Sequence, residues 1–351
     1  MSSRIYTGAK AYALRGTLQD RASIQKLAES ASLDELVNRL RGTHYGNVMS
    51  GLTPPFTAKR IEVALRERLA EVHYSIMSTA GRYAILELYY LMNIAWDLKV
   101  ALKGRALNKP YEETIEYLNM KAEELVGRRD LIVKVLAARD VNEAVSLLSG
   151  TEFFGDAERA LNSFNANGEV RFFDVYVDHA VLSRISKEYS TNHRVYATPR
   201  TTDVAGVGDI VATDIDAYNV LSVLRSKLWG LPEQEIRDLI IAPTYKVNSS
   251  TLFRMIGSES AAEALKLVEP SYPIPGLGNQ SDEEQINLAD DAFTERMRST
   301  ARRTFVWQGL GPAAALALVR LLEFEVNDLA AIAIGVEAGI DPKWILARLR
   351  L

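Results

Sequence analysis

Apolar residues return every three or four positions along most of this chain. Between Leu316 and Ile334, the residues Leu318, Leu321, Leu322, Val326, Leu329, Ile332 and Ala333 fall on one face when wound at 3.6 residues per turn. Similar stripes run through residues 8–29, 58–78, 80–105, 111–126, 172–189 and 213–228, several with Pro or Gly near their ends. The strict alternation of a half-buried strand is hard to find, and the apolar run at 171–177 continues into a helical pattern, so it reads as helix. The pattern predicts an all-α fold. Two stretches read as irregular: 197–208, and 269–282 with Pro270, Pro273, Pro275, Gly276 and Gly278.

The stripes also repeat. Leu33–Thr43 aligns without a gap on Val141–Thr151, 108 residues later, and an aromatic follows each copy, at Tyr45 and Phe153. A weaker third copy falls at Leu252–Ser258. A second element repeats independently. Asp97, Leu98, Ala101, Leu102 and Asn108 correspond to Asn219, Val220, Val223, Leu224 and Gly230, and to Asp328, Leu329, Ile332, Ala333 and Gly339. In each copy a helix ends at Gly or Asn, the residues that tolerate a left-handed cap, and Pro follows within three positions at Pro110, Pro232 and Pro342. The expectation is three similar helical domains, 1–127, 128–242 and 243–351. Head-to-tail packing of such units closes into a ring at about 120° per unit and otherwise extends as a solenoid. The pattern alone leaves both open.

Composition narrows the chemistry. Of 351 residues 48% are hydrophobic and 25% charged, enough for a sizeable core, and Gly (21) and Pro (11) are sparse enough to favour long helices. A net charge of -4 lacks the basic excess that nucleic acid demands. The absence of cysteine excludes disulfides, zinc-thiolate sites, iron-sulfur clusters and cysteine nucleophiles. Residues 1–14 lack the apolar run of a secretory signal, so the chain is expected to stay inside the cell. The stretches 83–102 and 316–334 carry too many charges to span a bilayer.

Catalytic and cofactor motifs are missing or weak. No phosphate-cradling Gly-x4-Gly-Lys-Ser/Thr loop and no Gly-x-Ser-x-Gly elbow occurs. Gly309-Leu310-Gly311-Pro312-Ala313-Ala314 fits the loose dinucleotide pattern, but no second strand follows and Pro312 suits a helix start. His44, His73, His179 and His193 are scattered and read as surface or packing residues. The sharpest enzymatic lookalike is Asp290-Asp291 with Glu295, since paired carboxylates one turn apart hold magnesium against a diphosphate in all-α prenyl-transfer enzymes. A second ligand set would fall at Asn327–Gly335, where Ala331 and Gly335 carry no ligand, so a solvated acidic face is the simpler reading. No catalytic, cofactor or metal residue is assigned.

Cations gather at the second repeated element: Lys99, Lys103 and Arg105 in the first copy, Arg225 and Lys227 in the second. The third has Ile334 and Val336 where the first has Lys103 and Arg105. Such cations suit helix C-termini, where they complement the macrodipole, and they also suit a partner. Lys103, Arg105, Asn219, Arg225 and Lys227 are the candidate contact residues.

The ordered set of motifs resembles the C subunit of archaeal and bacterial A-type/V-type rotary ATPases, related to the d subunit of the eukaryotic vacuolar enzyme. Tyr12-Ala13-Leu14-Arg15-Gly16 is similar to that family's start, and Leu36-x3-Leu40-x2-Thr43-x-Tyr45 to its first-domain signature. Phe173-Asp174-Val175-Tyr176-Val177-Asp178 resembles the opening of its second domain. Asp216-x2-Asn219-x4-Leu224-Arg225-Ser226-Lys227-x2-Gly230-Leu231-Pro232-x2-Glu235-Ile236 and Glu323-x-Glu325-Val326-x2-Leu329 resemble later motifs. The chain departs from the family at Ala333, where a basic residue is usual, and the Pro-rich insert near 270–280 is not placed by the resemblance. The resemblance implies a non-catalytic, three-domain helical funnel of pseudo-threefold form on the cytoplasmic face of the membrane, without cofactor. Its partners would be the central rotor shaft and the membrane ring of proteolipid subunits, between which it passes torque. The readings that compete with it are the prenyl-transfer enzyme using Asp290 and Asp291, and an unrelated helical-repeat adaptor.

Overall fold

Helix starts in this protein are set by side chains that take up amide donors which a helix cannot satisfy itself. Three of them are the same device. Ser32 accepts from the Glu35 amide while the Glu35 carboxylate accepts from the Ala31 amide; Asp140 and Glu143, and Ser260 and Glu263, repeat this reciprocal box. In the computed structural model, residues 2–79, 83–196, 202–307 and 311–349 are described, and they form helices and turns with no strand.

In chain order the helices are α1 (Ser2–Arg15), α2 (Arg21–Ala28), α3 (Leu33–Arg41), α4 (Gly46–Ser50), α5 (Ala58–Met77), α6 (Ala84–Ala106), α7 (Tyr111–Ile115) and α8 (Lys121–Leu125). There follow α9 (Arg129–Ala137), α10 (Val141–Ser146), α11 (Phe154–Asn167), α12 (Phe172–Tyr196), α13 (Thr202–Leu228) and α14 (Glu233–Asp238). The last are α15 (Ser249–Gly257), α16 (Ala261–Val268), α17 (Asp282–Trp307), α18 (Pro312–Glu337) and α19 (Pro342–Arg348).

These helices pack as two compact units, Met1–Leu148 with Gly309–Leu351, and Ser149–Gln308. In the first, α18 is apolar on nearly every side and buried along most of its length, against α5, α1, α2, α3 and α19. There α6 packs on α5, α9 and α10. In the second unit α13 holds the same central place, packed by α17, α12, α15 and α14.

Several expectations are corrected. The stripe at 8–29 is two helices, broken by Gly16 and restarted at the Asp20 cap, and the stripe at 111–126 is the short pair α7 and α8. Of the expected loop at 197–208, Thr202–Gly208 belongs to α13, whereas 197–201 lie outside the described residues. The third copy of the first element is α16 and not Leu252–Ser258, because the capping box recurs at Ser260 and Glu263, whereas Leu252–Ser258 ends α15.

The second repeated element ends in the same backbone cap in all three copies. Asn108 (φ 53°), Gly230 (φ 77°) and Gly339 (φ 64°) are left-handed and end α6, α13 and α18. The amides of Lys109, Leu231 and Ile340 reach back to the carbonyls of Gly104, Ser226 and Gly335, and those of Asn108, Gly230 and Gly339 to Arg105, Lys227 and Val336, the paired bonds of a Schellman cap. The short helix then folds over the small residue. A Cβ on Gly104 would lie 2.6 Å from Thr114, and one on Gly335 2.6 Å from Ile345. Ser226 fills that place in the second copy.

Gly339→Ala and Gly230→Ala are each expected to lower stability by about 1 kcal/mol or more, since Cβ strains a left-handed cap. Asn108→Gly is expected to be neutral or slightly stabilising. Thermal melts of the three variants check this, and equal losses at all three caps would contradict it.

Candidate functional site

The long helices α6, α13 and α18 each bury a polar residue about three turns before the left-handed cap: Asp97, Asn219 and Asp328. Its task is visible in two copies. Asp97 Oδ1 accepts from the Asn119 amide at 3.0 Å, and Asn219 Oδ1 accepts from the Ile241 amide at 2.8 Å, 22 residues on in each case. Asn219 Nδ2 also donates to the Ile241 carbonyl at 3.0 Å. These side chains tie down the segment returning beneath the short helix, whose backbone burial has stripped of water. For Asp328 the corresponding amide lies outside the described residues.

The cations predicted as contacts divide accordingly. Asn219 is buried and wholly engaged by Ile241. Lys227 donates from Nζ to the carbonyls of Met255, Ile256 and Ser258, closing the C-terminus of α15, and burial lowers its pKa. Arg105 does the equivalent for α9, donating to the Ala138 carbonyl at 3.3 Å and also to that of Lys109. Lys227 and Arg105 therefore serve the carbonyl end of a helix further along the chain, α15 and α9, rather than that of their own helix. Arg225 is half-exposed and pairs with Asp290 at 3.0 Å, and Lys103 is half-buried on the same turn of α6 as Arg105.

Sequence reasoning passed over the carboxylates one turn earlier on the long helices. Glu325 on α18 takes the Tyr45 hydroxyl at 2.8 Å, His44 Nε2 at 2.9 Å and the Gln19 amide. In the second unit Asp216 on α13 takes the Tyr272 hydroxyl at 2.8 Å and the Lys246 amide at 2.9 Å. Burial raises the Asp216 pKa against the pull of these donors. In both places a carboxylate of one copy is gripped by a phenol and a backbone amide of another. The repeat register placed Glu325 opposite Asp216, and that was the available signal.

The other histidines pack internally: His73 is buried with Nε2 on the Leu86 carbonyl and its pKa lowered by burial to about 4, and His179 meets Asp156 at 2.9 Å. The His193 side chain lies outside the described residues. No group of three or more His, Asp or Glu among the described residues is placed to hold a metal, and Asp290 is occupied by Arg225. No described helix is long and apolar enough to cross a membrane. The corner between α18 and α19 differs from its two counterparts in surface chemistry. Ile334, Ile340 and Trp344 are exposed there, Trp344 at 73%, where the first copy has Lys103, Lys109 and Glu113.

A sequence model of the ATP synthase (C/AC39) subunit family matches residues 8–348. The chain belongs to that family. The A-type ATP synthase C subunit of Pyrococcus abyssi is 26% identical over 347 residues, covering 97% of this chain and 88% of the relative. The proteins of the same name from Thermococcus kodakarensis and Methanocaldococcus jannaschii are 25% and 24% identical, again over 97% of this chain and over 88% and 84% of theirs. Nothing in these similarities supports the prenyl-transfer reading. In this member of the family, Asp97, Asn219, Arg105, Lys227, Asp216 and Glu325 are engaged in internal joints.

Glu325→Ala leaves the buried Tyr45 hydroxyl and the part-buried His44 and Gln19 groups without their shared acceptor and is expected to lower stability by about 3 kcal/mol or more, against about 1 kcal/mol for Tyr45→Phe, which removes one bond. Urea denaturation of both variants measures the difference. Similar small losses would show that the carboxylate is not the hub of this joint.

Proposed function

We propose that this protein is a non-catalytic central-stalk component of a rotary A-type ATP synthase, carrying torque between the central rotor shaft and the membrane ring of proteolipid subunits. The observation that carries this reading is the family match over nearly the entire chain, with relatives named as the C subunit aligned along most of their own length. The joints suit such work. Rods of 23 to 27 residues are about 35–40 Å long, and each is locked at its end by a Schellman cap and a small residue under the next helix, with a buried polar tie in α6 and α13. A part that transmits force by shape needs few bistable elements.

The division into three helical domains, 1–127, 128–242 and 243–351, in a pseudo-threefold arrangement, belongs to the same proposal. It is supported by recurring contacts: α6 on α9, α13 on α15, and α18 on α2, each the end of one copy against the start of another. The protein is placed at the cytoplasmic face of the membrane as a peripheral part of the complex, with no nucleic-acid partner. Lys103 and Arg225 remain proposed surface contacts. The exposed Ile334, Ile340 and Trp344, standing where the first copy has Lys103, Lys109 and Glu113, give the third corner a more apolar partner surface.

The purified chain is expected to hydrolyse no ATP and to retain shaft and ring components in a pull-down. Trp344→Ser should weaken that recovery by roughly tenfold, as loss of a contact-centre tryptophan does, without altering the thermal melt. Recovery of neither component by the wild-type chain would overturn the assignment.

A further inference from the structure

The first copy holds its return segment differently from the second, and the difference concerns a proton. In the second copy one amide side chain, Asn219, presents an acceptor and a donor to the returning backbone. In the first copy Asp97 keeps the acceptor, but Oδ2 stands where the amide nitrogen would be, and it faces Glu123 on α8. Both residues are fully buried. Neither Asp97 Oδ2 nor either Glu123 oxygen has a hydrogen-bond partner as long as both groups are ionised. Two bare carboxylates in contact, away from water, repel and lack donors, an arrangement that burial penalises severely. One proton between them removes both faults.

We propose that Glu123 is carried as the neutral acid and donates its O–H to Asp97, so that the acid pair is a pH-responsive tie doing in the first copy what the Asn219 amide does in the second. The Asp97 carboxylate then accepts two bonds, one from Asn119 and one from Glu123, and α8 is fastened to α6 through the shared proton. The groups facing the pair are Arg66 from α5, Tyr90 from α6, which Tyr74 of α5 meets in turn, and Arg128 ahead of α9. Tyr90 is itself held neutral by burial and donates to the Ala122 carbonyl at 2.8 Å, next to Glu123. Burial, and then the charge of Asp97, pushes the Glu123 carboxyl up to about 9. A carboxyl neutral in the folded state and ionised in the unfolded state supplies stability that is complete below the ordinary carboxylate range and is lost as pH rises towards 9.

The test compares wild type with Glu123→Gln and Asp97→Asn, each of which replaces the shared proton by a permanent amide donor. Infrared spectra at neutral pH are expected to show a protonated-carboxyl band in wild type that Glu123→Gln lacks. Thermal midpoints from pH 6 to 10 are expected to fall more steeply for wild type, opening a gap of roughly 3 °C or more against both variants by pH 9.5. If Glu123→Gln does not fold, Asp97→Asn alone carries the comparison, because the second copy already uses Asn at that position. A wild-type spectrum without the band, or midpoints that fall in parallel for all three proteins, would overturn the proposal.

Discussion

Where a long helix reverses into a short one, the returning backbone passes under the helix and loses its water, so its amides must be met by a side chain reaching down from above. Much of this structure follows from that need. It places Asp97 and Asn219 on the buried face of α6 and α13, about three turns from the cap, and it makes the residue between them and the cap small. It also makes the corner stiff, because the short helix is fixed at its start by the Schellman bonds and at its far end by the polar tie.

The joints between copies rely on charge in the same economical way. Lys227 and Arg105 neutralise the carbonyl ends of α15 and α9, and Glu325 and Asp216 gather hydroxyl and amide donors from segments far away in the chain. Buried polar contacts of this type add less to stability than apolar packing of equal size, but they accept only one register. An amphipathic helix on an apolar partner can slide by a turn, whereas a carboxylate bonded to a tyrosine and an amide cannot. In the proposed role of carrying torque, register and stiffness matter more than surplus stability.

Much of the fold was legible in the residues. The 3.6-residue periodicity gives the helices, and Gly or Asn followed by Pro marks each of the three corners, because capping and helix starting are local matters. Errors came where two local signals conflicted. The apolar period continues across Gly16 and Asp20 as though one helix ran through, and Gly206 and Gly208 look like loop residues. Gly208 instead lies against Tyr189, whose hydroxyl would stand 2.2 Å from an added Cβ, so the glycine serves close packing inside a helix. The candidate contacts were harder, since a cation near a corner looks the same whether it faces solvent or another helix.

The sequence by itself determined that this chain is helical, where its corners lie and which positions recur, since these depend on neighbours a few residues apart. Only the tertiary structure decided what the recurring polar residues do: that Arg105 and Lys227 cap other helices, that Asn219 is buried, and that Glu325 on α18 is held by His44 and Tyr45, some 280 residues earlier. A side chain's type limits the bonds it is able to make, but its partner is chosen by packing between distant segments, and no local pattern encodes that choice.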